Sequence, residues 1–308
     1  MLFRSSSIIA FNWHNRARTA VVEVELGSGE QLVDFADSKV VPMDVYAEQD
    51  GWRKVRFLAA DVPAMGYKAY AIRGLDAAAH RANEPIEGDT IENQFYRLVV
   101  DRQTGGLKSL FDKTANRELL EAGAPYTLNE YLYVSGGEGS EILNCNFGTA
   151  PANLTIHRPE QVEIVKGRRT PLGQRLFVQA KSMNTPCITS EYLLYDQLKR
   201  VDIVNTIEKD ETRAKEAVYF AFPFAAEKPG IEYQIQNGWC RPNDDQMPGA
   251  CREWFTPQNL VHVSDGDYSV AWSTPDAPLV TLTDINRGKW LDHLPIKNGH
   301  VYSYALNN

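Results

Sequence analysis

Six side chains able to hydrogen-bond a polyhydroxyl ligand crowd into one short stretch. It reads WCRPNDDQMPGACREW, Trp239 to Trp254, and holds Arg241, Asp244, Asp245, Gln246, Arg252 and Glu253 with an indole at each end. Carboxylates and amides bind hydroxyl groups, and aromatic faces cover the C–H faces of a sugar ring. Asp244, Gln246, Arg252 and Trp254 are therefore candidate substrate contacts. The competing reading is a polar loop whose charges are solvated or paired with one another. Paired carboxylates can also serve as acid and base, but Asp244 and Asp245 are adjacent, and neighbours on an extended chain point to opposite sides. No catalytic residue is assigned. A second polar turn, DINRGKW from Asp284 to Trp290, sets Arg287 and Lys289 on either side of a glycine.

Metal and thiol chemistry find little support. The six histidines (His14, His80, His157, His262, His293, His300) are scattered, no pair has a spacing of four, and no His-x-Asp occurs. Cys145, Cys187, Cys240 and Cys251 include no C-x-x-C pair, so incidental thiols are favoured over a zinc site or a disulfide framework.

The elements that must carry these groups read as strands. Ile91 to Lys113, IENQFYRLVVDRQTGGLKSLFDK, gives strand, tight turn, strand: residues 95–100 alternate, Asp101 to Gly106 supplies turn chemistry, and Leu107, Leu110 and Phe111 restart an apolar run. Strands are also expected at Ile8–Phe11, Thr19–Leu26, Val40–Tyr46, Lys54–Leu58, Val162–Lys166, Arg175–Ala180, Val201–Ile207, Ala217–Phe222 and Ile231–Gln236. A short helix is expected at Asp112–Gly123; Asp76–Ala82 is alanine-rich but short, and Glu84-Pro85 follows closely. Many short strands separated by Gly, Pro, Asn and Asp predict an all-β sandwich. The composition shift near Gly74 suggests a small β domain over 1–76, a linker over 77–90 and a larger β domain over 91–308.

Bulk composition narrows the partners. The chain has 308 residues, 43% hydrophobic and 23% charged, with a net charge of −8. An acidic chain is a poor polyanion binder, so nucleic acid and anionic membrane are argued against. No apolar run reaches the roughly 18 residues of a membrane span. The N-terminal MLFRSSSIIAFNWHNR lacks a cleavage site after its short apolar core, which argues against a signal peptide and for a cytoplasmic location.

Several segments resemble, in order, the C-terminal β region of retaining α-mannosidases of glycoside hydrolase family 38. They are AFNWHNR (Ala10–Arg16), VPAMGYKAY (Val62–Tyr70), Ile91–Lys113, AFPF (Ala221–Phe224), DQMPGACREWFT (Asp245–Thr256), VSDGDY (Val263–Tyr268), STPDAP (Ser273–Pro278) and HVYSYALNN (His300–Asn308). The resemblance implies a small β-sandwich followed by a large galactose-mutarotase-like supersandwich. It also implies that the zinc ion, held by two His and two Asp, and the nucleophile belong to an upstream catalytic domain that this chain lacks. No cofactor is then expected here. The expected partners are that catalytic domain and a mannoside or other carbohydrate, with a homo-oligomer left open. By the same resemblance Tyr131, in NEYLYVSGGEG, faces the sugar, with Tyr133 as fallback and Gly136-Gly137 allowing close approach to another domain. Either Arg252 or Arg287 would contribute to the rim of the pocket. The expected function is to pack on the catalytic domain and help bind mannoside while being inactive alone. A freestanding carbohydrate-binding module is the alternative. An epimerase is disfavoured, because no histidine sits in a segment resembling such a site.

Overall fold

A computed structural model describes residues 7–75, 84–136, 154–285 and 291–307. Residues Met1–Ile86, Gly167–Arg175 and Leu193–Asp202 form one compact unit, and Glu87–Lys166, Leu176–Tyr192 and Ile203–Asn308 form a second. The described residues contain strands and turns without a helix.

The leading strands are β1 (Ser7–Asn12), β2 (Arg18–Gly27), β3 (Glu30–Asp34), β4 (Met43–Gln49), β5 (Trp52–Val62), β6 (Gly66–Gly74) and β7 (Glu84–Ile86). The strands that follow are β8 (Thr90–Glu92), β9 (Tyr96–Val100), β10 (Leu107–Asp112), β11 (Arg117–Glu118), β12 (Glu130–Ser135), β13 (Thr155–His157), β14 (Glu160–Thr170), β15 (Gly173–Ser182) and β16 (Thr185–Tyr195). After them come β17 (Val201–Glu208), β18 (Glu216–Phe224), β19 (Gly230–Ile235), β20 (Gly238–Cys240), β21 (Leu260–Asp265), β22 (Tyr268–Ser273), β23 (Val280–Leu282) and β24 (Gly299–Asn307).

The first unit contains two three-stranded antiparallel sheets, β1-β6-β3 and β2-β5-β4. Alternation decides what each face buries. Val24 and Leu26 of β2, Val55, Phe57 and Ala59 of β5, Leu32 of β3 and Tyr70 of β6 form one core. Phe57 and Tyr70 meet edge to face at 4.9 Å, and each fully buried large side chain contributes roughly 1.5–3 kcal/mol. The other face of β2 and β5 presents Val21 and Leu58, which pack on Leu172, Leu193 and Tyr195 at the tips of two later hairpins.

The second unit is built on β13-β12-β18-β24-β23, with four-stranded sheets β11-β10-β9-β8 and β20-β19-β21-β22. Its central strands are buried on both faces. Tyr131, Leu132, Tyr133 and Val134 of β12 and Val218, Tyr219, Phe220 and Ala221 of β18 are each at most 6% exposed. That explains why EYLYV and AVYFAF are continuous apolar runs rather than alternating ones. The all-β sandwich class expected from the strand pattern is therefore present.

The turn after β9 has the chemistry its sequence suggested. Asp101 Oδ1 accepts the amides of Gln103 (2.7 Å) and Thr104 (3.3 Å), and Gly105 has φ +74°. A Cβ on Gly106 would lie 2.6 Å from the Leu128 carbonyl, so a side chain there would collide with backbone. The helix expected at Asp112–Gly123 does not form. Asp112 Oδ1 instead accepts the amides of Thr114 (2.8 Å) and Ala115 (3.0 Å) and the Thr114 hydroxyl. Asn116 takes positive φ, and Arg117–Glu118 returns to pair with β10. An aspartate that caps its own turn offers the backbone an alternative to helix. The alanine-rich Asp76–Ala82 lies outside the described residues.

Candidate functional site

The Trp239–Trp254 loop leaves β20 and folds on its own side chains. Asp245 accepts the Arg241 backbone amide at 2.8 Å and the Arg241 guanidinium at 3.0 and 3.1 Å. That pairing holds the Asp245 carboxyl below the usual carboxylate range. Asn243, at φ +70°, makes a reciprocal pair with the backbone of Leu294, donating to its carbonyl at 2.9 Å and accepting its amide at 2.8 Å. Gln246 bridges the loop, accepting the Asn243 amide at 3.2 Å and donating to the Cys251 carbonyl at 2.9 Å. Asp244 is exposed. The loop ends where Phe255 exchanges two backbone hydrogen bonds with Val280, each 2.9 Å.

Its C-terminal limb is buried and incompletely satisfied. Arg252 is 7% exposed, and its Nη1 donates to the Ala250 carbonyl at 3.0 Å. Glu253 is 5% exposed and accepts from the Leu291 amide, the Arg252 amide (3.2 Å) and the Cys251 thiol (3.2 Å). Burial pushes that thiol's pKa up. Arg252 Nε and Trp254 Nε1 are buried with no hydrogen-bond partner among the described residues. A buried donor without an acceptor costs roughly 1–3 kcal/mol.

Tyr131 sits elsewhere in the second unit. It is 2% exposed, its hydroxyl lies 2.7 Å from Thr185 Oγ1, and its ring meets Phe220 edge to face at 5.6 Å. Burial raises its pKa to about 12, so it is a neutral hydroxyl at ordinary pH. It lines a small enclosed space with Thr104, Asn129 and Ser190. Tyr133, on the same face, donates to Glu216 at 2.5 Å and accepts from Asn184 at 2.8 Å, and Glu216 is also paired with Lys209. The hydrogen bonds of Tyr131 and those of the loop have no residue in common. Arg287 lies outside the described residues. Sequence reasoning had no means of finding Asn184, Thr185, Lys209 or Glu216, since Thr185 lies 54 residues from Tyr131 and no motif joins them. Among the described residues no three His, Cys, Asp or Glu side chains converge as a metal site would require.

The profile of the glycosyl hydrolases family 38 C-terminal domain matches residues 91–274. The chain belongs to glycoside hydrolase family 38. It is similar in fold to an α-mannosidase from Enterococcus faecalis V583, with a TM-score of 0.59 and 12% identity over 98% of this chain and 43% of that one. A second Enterococcus faecalis structure, of a family 38 protein, matches with the same score and identity over 99% of this chain and 41% of its own length. The chain thus spans about two-fifths of the length of either. Comparison with curated proteins gives no match. In family 38 terms the loop and β12 both fall within the matched C-terminal domain, as does every candidate site residue except Arg287.

Proposed function

We propose that this chain is the C-terminal β portion of an α-mannosidase-like retaining hydrolase. It packs on a catalytic half, helps hold the mannoside there and has no hydrolytic activity by itself. The family match over residues 91–274 carries the reading. The likeness to structures more than twice as long supports a further half beyond these 308 residues. Tyr131, Asp244, Gln246, Arg252, Trp254 and Arg287 are the proposed substrate-side residues. The zinc ion and the nucleophile are assigned to the catalytic half. The free thiols of Cys187, Cys240 and Cys251 support a cytoplasmic enzyme.

Positioning groups lower the barrier by fixing the substrate in a reactive pose. In the complete enzyme Arg252→Ala and Tyr131→Phe are expected to lower kcat/KM for an aryl α-mannoside by about tenfold or more, and the isolated chain is expected to leave it uncleaved. Unchanged kcat/KM in both variants would remove the positioning role. Turnover by the isolated chain would remove the division of labour.

A further inference from the structure

The two outer faces of the first unit's sandwich are built differently. On β2-β5-β4 the outward residues are charged and paired. Glu23 bonds Arg56 at 2.7 Å, Glu25 lies 3.7 Å from Lys54, and Arg56 stacks 4.2 Å over Tyr46. The apolar part of that face is Val21 and Leu58, covered by the unit's own hairpin tips, and Trp52 at the strand end, which shares the face of Lys54 and Arg56 and is 45% exposed. On β1-β6-β3 the register places Phe11 opposite Tyr67 and Ile9 opposite Ala69, and the Phe35 amide bonds the Ala69 carbonyl. These positions, with Trp13 and Met65 beside them, form a continuous apolar surface. Ile9, Phe11, Trp13, Phe35, Met65 and Tyr67 are 48%, 57%, 77%, 57%, 72% and 59% exposed. The solvent face of an antiparallel sheet is normally polar, and exposed apolar patches of this kind mark interaction sites.

The patch is held rigidly. Asn12, 5% exposed, donates to the carbonyls of Arg16, Val62 and Pro63 and accepts the His14 amide at 3.0 Å. That clamp fixes the loop bearing Trp13. Beside it opens a groove of about 230 Å³ whose floor is Ala10, Ala20, Val22, Ala59 and Val62. An aliphatic floor suits an apolar side chain better than a sugar. Phe11 and Trp13 also stack face to face, 15° from parallel at 5.6 Å. Exposed Arg18, its Nη1 2.8 Å from His14 Nε2, lines the groove in a chain of net charge −8, so the fitting partner is an apolar ridge flanked by a carboxylate.

We infer that this face seats the catalytic half of the family 38 enzyme. The inference rests on the function proposed above. The matching solved structures extend well over twice the length of this chain, so the fold occurs there within a larger polypeptide. The test mixes the purified chain with a separately expressed catalytic half of a family 38 α-mannosidase and measures Kd by calorimetry. Trp13→Ser with Tyr67→Ser is expected to weaken association at least tenfold. Glu25→Gln with Lys54→Gln, on the charged face, is expected to leave it unchanged. Met65→Lys, at a position 72% exposed, gives a second probe should the double variant melt early. Wild-type binding that both patch variants leave intact overturns the inference and spares the proposed function. No binding by the wild type overturns both. Dimers of the isolated chain that Met65→Lys dissolves would make a second copy the occupant and overturn the inference.

Discussion

Strand β12 and the Trp239–Trp254 loop answer the burial of polar groups in opposite ways. In β12, Glu130 is fully buried and receives Arg158 through two bonds (2.5 and 2.9 Å), the Thr127 amide and the Thr127 hydroxyl. Tyr131 and Tyr133 each have their hydroxyl engaged. In the loop, Glu253 is equally well supplied, but Arg252 Nε and Trp254 Nε1 are not. Satisfied polar groups in a doubly buried strand stabilise the fold. Orphaned donors in a polar loop carry a standing cost. The difference separates residues whose loss should unfold the chain from residues whose loss should be nearly silent until a partner or ligand is present.

The sharpest way to break the comparison is Arg158→Ala. It leaves the Glu130 carboxylate buried with only the Thr127 donors, and breaking such a pair from one side costs on the order of 3 kcal/mol. Urea unfolding should show that loss, and a change under 1 kcal/mol would mean that β12 does not depend on its polar satisfaction. A smaller effect is alkaline. Tyr131 has its folded pKa raised to about 12 by burial, above an unfolded value near 10. Its contribution to stability is therefore complete below pH 10 and is lost as pH rises towards 12, by roughly 2–3 kcal/mol at most. Urea midpoints followed from pH 9 to 12 should fall less steeply in Tyr131→Phe than in the wild type, and parallel curves would count against a buried hydroxyl. Next, Tyr133→Phe removes a hydroxyl joined to Glu216 and Asn184 and should cost about 1–2 kcal/mol in the same assay. The smallest effect is expected in the loop. Trp254→Phe deletes an N–H that has no partner, and the relief of that cost offsets the packing lost with the indole, so stability should change by no more than about 0.5 kcal/mol. A loss above 1.5 kcal/mol would place a hidden acceptor on Trp254 and erase the contrast with β12.

Much of the fold was legible. The strands expected at Thr19–Leu26, Arg175–Ala180 and Ala217–Phe222 fall inside β2, β15 and β18, because alternation or a doubly buried apolar run leaves a local mark. Thr185–Tyr195 escaped notice. TPCITSEYLLY mixes polar and apolar residues without a clean period, and β16 is a strand because β15 and β17 pair with it. The Asp112–Gly123 helix failed for a local reason, the aspartate turn, that could have been weighed from the sequence. Of the candidate site, residue types and grouping were visible in the loop. Whether Arg252 and Trp254 were buried, and whether their donors were met, was not.

The sequence by itself determined the all-β class, the turn chemistry and the family, because these are written in short-range pattern and ordered motifs. Tertiary structure alone decided that Tyr131 spends its hydroxyl on Thr185, that Asn243 is fastened to Leu294, and that two donors in the loop go unmet. Burial and hydrogen-bond satisfaction are sums over neighbours 50 or more residues away along the chain, and no local pattern encodes which neighbours those are.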